Sequence, residues 1–451
     1  MKNNKILRII ILILSCSAGN SLFAQTISQG QQQPVINPGH TAWMIVATIL
    51  VLLMTIPGLA FFYGGIVRQK NILNILMQCF ITTAVITVQW IFFGYSLSFS
   101  SSHGFLAPFI GGFDWAFLNN IGINDVCPFF ISQPIERIPH IVFILFQCMF
   151  AVITPALIIG AFAERIKFSG FLVFTILWAT FVYDPIAHWL WCPDGWLYKL
   201  GAVDFAGGAV VHINAGIAAL VTALLIGKRK NFHHVNIPPH NIPFVVLGAA
   251  MLWVGWFGFN AGSGLAADGL AANAFLVTHV CASVAAIVWI LMDWIFNKKP
   301  TVIGIVTAAV AGLAAITPAA GFVNVTGAVI IGFVVSIICF CMVGVVKPLC
   351  GYDDTLDAFG VHGIAGIWGV LATGLLATPL VQNYTGLFYG SGALLGKQAI
   401  ATLATIVYSG IVTFLLFKLV DFLIGIRASA KEESMGLDLT MHKETAYTNV
   451  D

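Results

Sequence analysis

Two histidines lie deep in apolar, glycine-rich stretches of this chain. His212 ends Asp204-Phe-Ala-Gly-Gly-Ala-Val-Val-His212, and His362 ends Asp357-Ala-Phe-Gly-Val-His362. Each follows an aspartate, on a stretch long enough to cross a bilayer. An imidazole at membrane depth is costly, and such residues mark paths for an ion, a proton or a small polar solute. Two rings that merely satisfy each other would be a packing explanation, but it leaves their matched placement unexplained. Paired imidazoles also serve metals. HExxH and a clustered carboxylate ligand are both absent, so a metalloenzyme is a poor reading, and neither a metal nor another cofactor is expected.

Composition says what must hold these rings. Hydrophobic residues make up 59% of the 451 and charged residues only 8%, against about 25% charged in a soluble domain. The mean hydropathy is +0.95. This is an all-α integral membrane protein with little room for a soluble domain. Its net charge of +2 comes without a basic cluster, so nucleic acid is not a partner. The cysteines are scattered without metal spacing. Cys127 and Cys192 both face the outside in this reading, as two unrelated thiols or, alternatively, a disulfide.

The start reads as a secretory signal over residues 1–24. Lys2, Lys5 and Arg8 precede an apolar run, Ile9 to Leu14, and small residues up to a cleavage point after Ala24. An uncleaved extra helix is the competing reading. Residues 25–425 form the transmembrane domain and 426–451 a polar tail. A span needs about 20 apolar residues. That rule gives eleven, near 42–66, 72–98, 140–162, 168–190, 206–227, 242–261, 272–296, 301–318, 325–346, 358–378 and 398–425. Basic residues cluster after alternate spans: Arg68 and Lys70, Arg165 and Lys167, Lys228 to Lys230, Lys298 and Lys299, Lys347, Arg427. The positive-inside rule then puts the mature N-terminus outside and the tail in the cytoplasm.

Two five-helix halves plus a final helix would form an inverted repeat, with the working site at their interface. His212 falls on the fifth span and His362 on the tenth. At a rise of about 1.5 Å per residue, each is about 10 Å from its own helix start, on opposite sides, so the rings meet near the midplane.

The ordered motifs carry a resemblance. Phe61-Phe-Tyr-Gly-Gly, Gly160-Ala-Phe-Ala-Glu-Arg165, Asp204-Phe-Ala-Gly-Gly with His212-Ile-Asn, Gly255-Trp-Phe-Gly-Phe259-Asn-Ala-Gly-Ser263, Ile316-Thr-Pro-Ala-Ala-Gly321, Asp357-Ala-Phe-Gly-Val-His362-Gly and Gly436-Leu-Asp together resemble the ammonium transporter (Amt/MEP/Rh) family, in its bacterial Amt form. The resemblance implies a homotrimer with a pore in each subunit, not an enzyme. It implies an outer ammonium site at Phe150, Trp191 and Ser263 with Phe146 beside it. It implies a gate of Phe150 and Phe259, the pore histidines His212 and His362, and a buried acid, Asp204, needed for transport.

Each residue also has a plainer use. Trp191 could anchor at the interface, as Trp189 and Trp196 are expected to do. Ser263 could back-bond to its own helix. Asp204 could cap the fifth helix, and Asp357 is expected to cap the tenth. Asp184 reads as a local helix-break device. Lone Phe150 or Phe259 would be ordinary apolar residues.

The function implied is ammonium uptake. Ammonium binds outside, loses its proton near the aromatic gate and crosses as ammonia past the histidines, with the proton following separately. The alternatives are a neutral ammonia channel and an ammonium sensor that signals through its tail. The expected place is a bacterial inner membrane, with a PII-type signal protein docking on the tail. One residue departs from the family pattern. The family commonly has His-Gly-Glu where this chain has His442-Lys443-Glu444, which puts a helix break there, and regulation with it, in doubt.

Overall fold

The computed structural model describes residues 33–230, 232 and 237–447. The signal at 1–24 lies outside the described residues. Among the described residues, eleven apolar helices make up the body. They are α1 (Pro38–Ile66), α2 (Gln69–Phe99), α3 (His140–Phe162), α4 (Phe168–Leu200), α5 (Gly208–Ile226), α6 (Ile242–Gly262), α7 (Gly269–Asn297), α8 (Val302–Ile316), α9 (Val325–Cys350), α10 (Phe359–Leu376) and α11 (Ala393–Ile424). Ten are long enough to cross a membrane by themselves, and α8 is the short one. The architecture is the eleven-helix bundle read from hydropathy, two inverted five-helix halves and a final helix. One small addition is a parallel pair of two-residue strands, β1 (Val35–Ile36) and β2 (Glu136–Arg137). It ties the segment before α1 to the loop before α3.

Side-chain caps start several helices, because the first N–H groups of a helix lack intrahelical partners. Asn37 caps α1 through His40 N at 3.0 Å. Asp268 caps α7 at Leu270 N and Ala271 N, 3.0 and 3.1 Å away. Thr301 caps α8 and Asn324 caps α9. α3 is buried along nearly all its length at the centre of the bundle.

The two histidine helices cross there. A Cβ on Gly216 of α5 would stand 2.2 Å from the Gly363 Cα of α10. Only glycine allows this approach, the small-residue logic of membrane helix contacts. Each histidine lies in a widened, π-type turn, Gly208–Ile213 or Phe359–Gly363. Such turns interrupt regular helices, frequently at working sites.

One expectation is corrected. Asp357 does not cap α10. It has φ +58 and pairs with Lys347 at 2.5 Å. The cap is Asp354, whose Oδ2 accepts from Phe359 N at 2.8 Å. An N-cap takes an extended backbone, whereas Asp357 is left-handed and its carboxylate is held by Lys347. Burial pushes the Asp354 carboxyl up to about 6.

Asp184 sits fully buried where α4 resumes after the widened turn Ala179–Tyr183, and it accepts from Gln89 at 2.7 Å. Cys127 and Cys192 are both free and buried.

The basic loops and the tail share one face, where a buried ion cluster ties the helix ends together. Glu164 accepts from Arg68 N at 2.7 Å, Asn71 Nδ2 at 3.0 Å and Arg229 Nη1 at 3.3 Å. Arg229 also grips Asp353 with Nε and Nη2, each at 2.9 Å. The tail docks on the same face. Its helix α12 (Ala430–Met435) opens with a reciprocal Ser429–Glu432 cap. Asp438 then caps α2 from outside, accepting from Leu73 N at 3.1 Å and Asn74 N at 2.8 Å. Leu437 N donates to Asn71 Oδ1 at 2.9 Å, and His442 pairs with Asn74 at 3.0 Å.

The helix break doubted at Lys443 is made. Lys443 takes φ +59 and ends the turn Asp438–His442. That left-handed conformation costs a non-glycine residue about 1–2 kcal/mol. Lys443→Gly is therefore expected to tighten the tail by about 1 kcal/mol, read as slower hydrogen exchange over residues 438–444. Unchanged or faster exchange would mean that the lysine side chain makes good the cost.

Candidate functional site

The start of α5 is built around Asp204. Its Oδ1 accepts from Gly207 N and Gly208 N at 2.9 and 2.6 Å, and its Oδ2 from Ala209 N and Val210 N at 2.8 and 3.0 Å. One carboxylate thus satisfies the four donors that open the helix. The capping use foreseen for Asp204 is fully realised. Its main-chain oxygen holds Trp191, whose indole Nε1 donates to it at 2.8 Å. Trp191 is therefore fixed over a vestibule instead of floating as an interfacial anchor.

That vestibule has a volume of about 410 Å³, and Gln147, Trp191, Asp204 and Ser263 are among its lining residues. Ser263 does back-bond: its Oγ donates to Phe259 O at 2.8 Å. The bond has a chemical consequence. The only hydroxyl proton is engaged by the helix, so Ser263 offers the vestibule lone pairs alone.

The aromatic residues meet at the vestibule floor. Phe146 packs against Phe150 with ring centres 5.0 Å apart, and Trp191 meets Phe150 edge-on at 5.7 Å. Phe150 and Phe259 stack at 4.2 Å and 24°. Both are essentially without exposed surface, so the floor is shut.

Below it lies a narrow cavity of about 10 Å³ lined by both histidines, with Leu157, Leu252, Trp256 and Val310 among the apolar walls. That is about the smallest space that admits a water-sized molecule. The two imidazoles are nearly parallel at 11°, with centres 5.3 Å apart. The two rings do meet, as the topology implied. No hydrogen bond joins them. Neither His212 nitrogen, nor Nδ1 of His362, has a hydrogen-bond partner among the described residues.

A wall residue, Trp256, and Thr317 behind it stand in the quoted motifs without a role. Trp256 lies flat against His212 at 5.4 Å and 17°, and Thr317 accepts from the Trp256 Nε1 at 2.8 Å. Only the fold brings α6 and the end of α8 together, and no local pattern announces it.

Vestibule, shut aromatic floor and paired imidazoles thus follow in line through one bundle. The model of the Ammonium Transporter Family matches residues 42–447. The chain belongs to this family. It is 49% identical over 411 residues to an ammonium transporter of Bacillus subtilis (strain 168), covering 91% of this chain and 98% of that one. It is 47% identical to ammonium transporter Amt1 of Archaeoglobus fulgidus, over 92% of this chain and all of that one. Among solved structures, Candida albicans Mep2 superposes with a TM-score of 0.81 at 34% identity, covering 88% of each chain. As a family member the chain is a multi-pass membrane protein that transports ammonium.

Proposed function

We propose that this transporter takes up ammonium by stripping its proton at the aromatic floor and passing ammonia through the histidine-lined lumen. One observation carries the reading: a vestibule in which Ser263 offers only lone pairs opens onto a closed phenylalanine stack, and below it stand two imidazoles with three ring nitrogens unpartnered among the described residues. Trp191 and Phe150 offer π faces to a cation, worth about 2 kcal/mol or more once water is excluded. Ser263 takes one N–H. Potassium matches ammonium in charge and size but donates no proton, so these acceptors favour ammonium.

Below the stack, water is excluded. A primary ammonium group has a pKa of about 10.4 in water, and burial lowers such a value by about 3–5 units. Ammonium driven into this lumen therefore sheds its proton near neutral pH. His212 and His362 then offer ring nitrogens to ammonia, and a proton relay that returns the charge separately. Asp204 acts in this scheme as the acid that shapes the entrance. The vestibule faces outward and the basic face inward, in a bacterial inner membrane, after removal of the signal. The working unit is a homotrimer with a pore per subunit, and the docked tail is the surface for a PII-type protein.

The test is an ammonium pulse on reconstituted liposomes held on a solid support. Wild type should give a large charge movement with ammonium and a small one with potassium, and His212→Ala should lose the ammonium current or admit more potassium. Intact protein without current would move the reading to neutral ammonia passage, or to a sensor. Ser263→Ala probes the vestibule alone. A hydrogen bond to a charged partner is worth about 1.5–3 kcal/mol, so half-saturating ammonium should rise about tenfold or more. The maximal current should hardly change. An unchanged half-saturation would remove Ser263 from the binding site.

A further inference from the structure

The motif Ile316-Thr-Pro-Ala-Ala-Gly321 has no part in the scheme above, yet it touches both histidine helices. Pro318 fills the space beside Gly208 of α5 and Gly369 of α10. A Cβ at either position would fall 2.5 or 2.9 Å from its side-chain atoms. The Pro318 carbonyl accepts from Phe205 N at 3.3 Å, in the loop that leads into α5. Thr317 reaches the other way, to Trp256 of α6.

The imidazole of His212 poses a question of orientation. A working histidine is commonly aimed by a hydrogen bond at its second nitrogen. His212 has no such bond among the described residues, so packing sets its plane. The ring lies between two nearly parallel neighbours, Trp256 at 17° and His362 at 11°. His362 is itself unbonded at Nδ1. The ring in this series that is tied to the scaffold by a hydrogen bond is the indole. Its Nε1 donates to Thr317 Oγ1 at 2.8 Å, and the Thr317 hydroxyl donates in turn to Leu313 O at 2.8 Å. Both hydrogen bonds are fully buried, so no water competes for them.

We propose that Thr317 is a positioning residue for the pore: through the indole of Trp256 it sets the plane of His212, and so how the paired rings present their nitrogens to the lumen. The proposal rests on the reading that these rings meet the permeating species.

The experiment compares ammonium-evoked with potassium-evoked charge movement in liposome-reconstituted full-length protein. The ratio does not depend on how much folded protein reaches the bilayer, so a merely structural loss leaves it unmoved. Thr317→Val keeps the shape and removes the hydroxyl, and Thr317→Ser keeps the hydroxyl. The ratio should fall on the order of tenfold in Thr317→Val, as misplaced working groups commonly cost that much or more, and Thr317→Ser should restore most of it. A wild-type ratio in Thr317→Val, with His212→Ala altered, overturns the proposal and leaves the histidine reading standing. A wild-type ratio in His212→Ala as well removes both. If Thr317→Val does not reconstitute, Trp256→Phe keeps a flat ring and loses the N–H. The same fall in ratio supports the proposal there, and a wild-type ratio overturns it.

Discussion

Asp204→Ala is expected to abolish ammonium-evoked current, with a loss of about a hundredfold or more. The carboxylate accepts four main-chain N–H groups at the start of α5. An ordinary cap is worth about 0.5–2 kcal/mol, but each buried donor left unpaired costs about 1–3 kcal/mol. Asp204 is only 6% exposed, so water makes good little of that loss. The first turn must rebuild itself, and it carries both Trp191's acceptor and His212. Asp204→Asn keeps one acceptor oxygen but turns an NH₂ toward two donors, so it should fall between alanine and wild type. Currents and intrinsic tryptophan emission read the two effects. A full current in Asp204→Ala would show that α5 starts without this carboxylate.

Glu164→Gln should give the largest stability loss outside the pore, about 3–5 kcal/mol, because it leaves Arg68 without its buried counter-charge and Arg229 with Asp353 alone. The variant is read by thermal unfolding in detergent. Burial would raise the Glu164 pKa, but Arg229 and Arg68 outweigh it and hold the carboxyl below the usual range. Asp353 is held low against burial in the same way, by Arg165 and Arg229.

The sign follows from linkage. A carboxylate with a depressed folded pKa stabilises the fold above its unfolded value. That stabilisation is lost as pH falls through the folded value. Stability from this cluster should therefore hold at neutral pH and fail in acid, below about 4. Glu164→Gln should lose stability less steeply there, with Asp353 still contributing. An unaltered acid profile in the variant would assign the sensitivity to other groups.

Much of this was legible in the residues. Apolar runs placed the eleven helices to within about five positions, except that α4 runs on to Leu200, ten residues past its expected end, since a bilayer imposes length and composition more strictly than water does. The histidine pair was legible because an inverted repeat carries equivalent residues to one place. Asp354 was missed although the signal was there. It precedes His362 by eight residues, as Asp204 precedes His212. Asp357 is the nearer acid, but its left-handed backbone and its pairing with Lys347 take it out of the capping role. Trp256 and Thr317 gave no such signal, since their contact joins residues 61 apart in sequence. The break at Lys443 was in doubt for a different reason. Local preference asks for glycine there, but Asp438 and His442 hold the turn against α2 from outside.

Lys443 makes the tail a latch under tension. Most of its grip comes from contacts upstream of the bend, and the bend itself works against them. Whatever lifts the tail recovers about 1 kcal/mol of backbone strain, about fivefold in the latch equilibrium. A relative with glycine at this bend has no such spring. Two proteins with identical pores would then respond to the same tail-binding partner at different concentrations, and this one would release first.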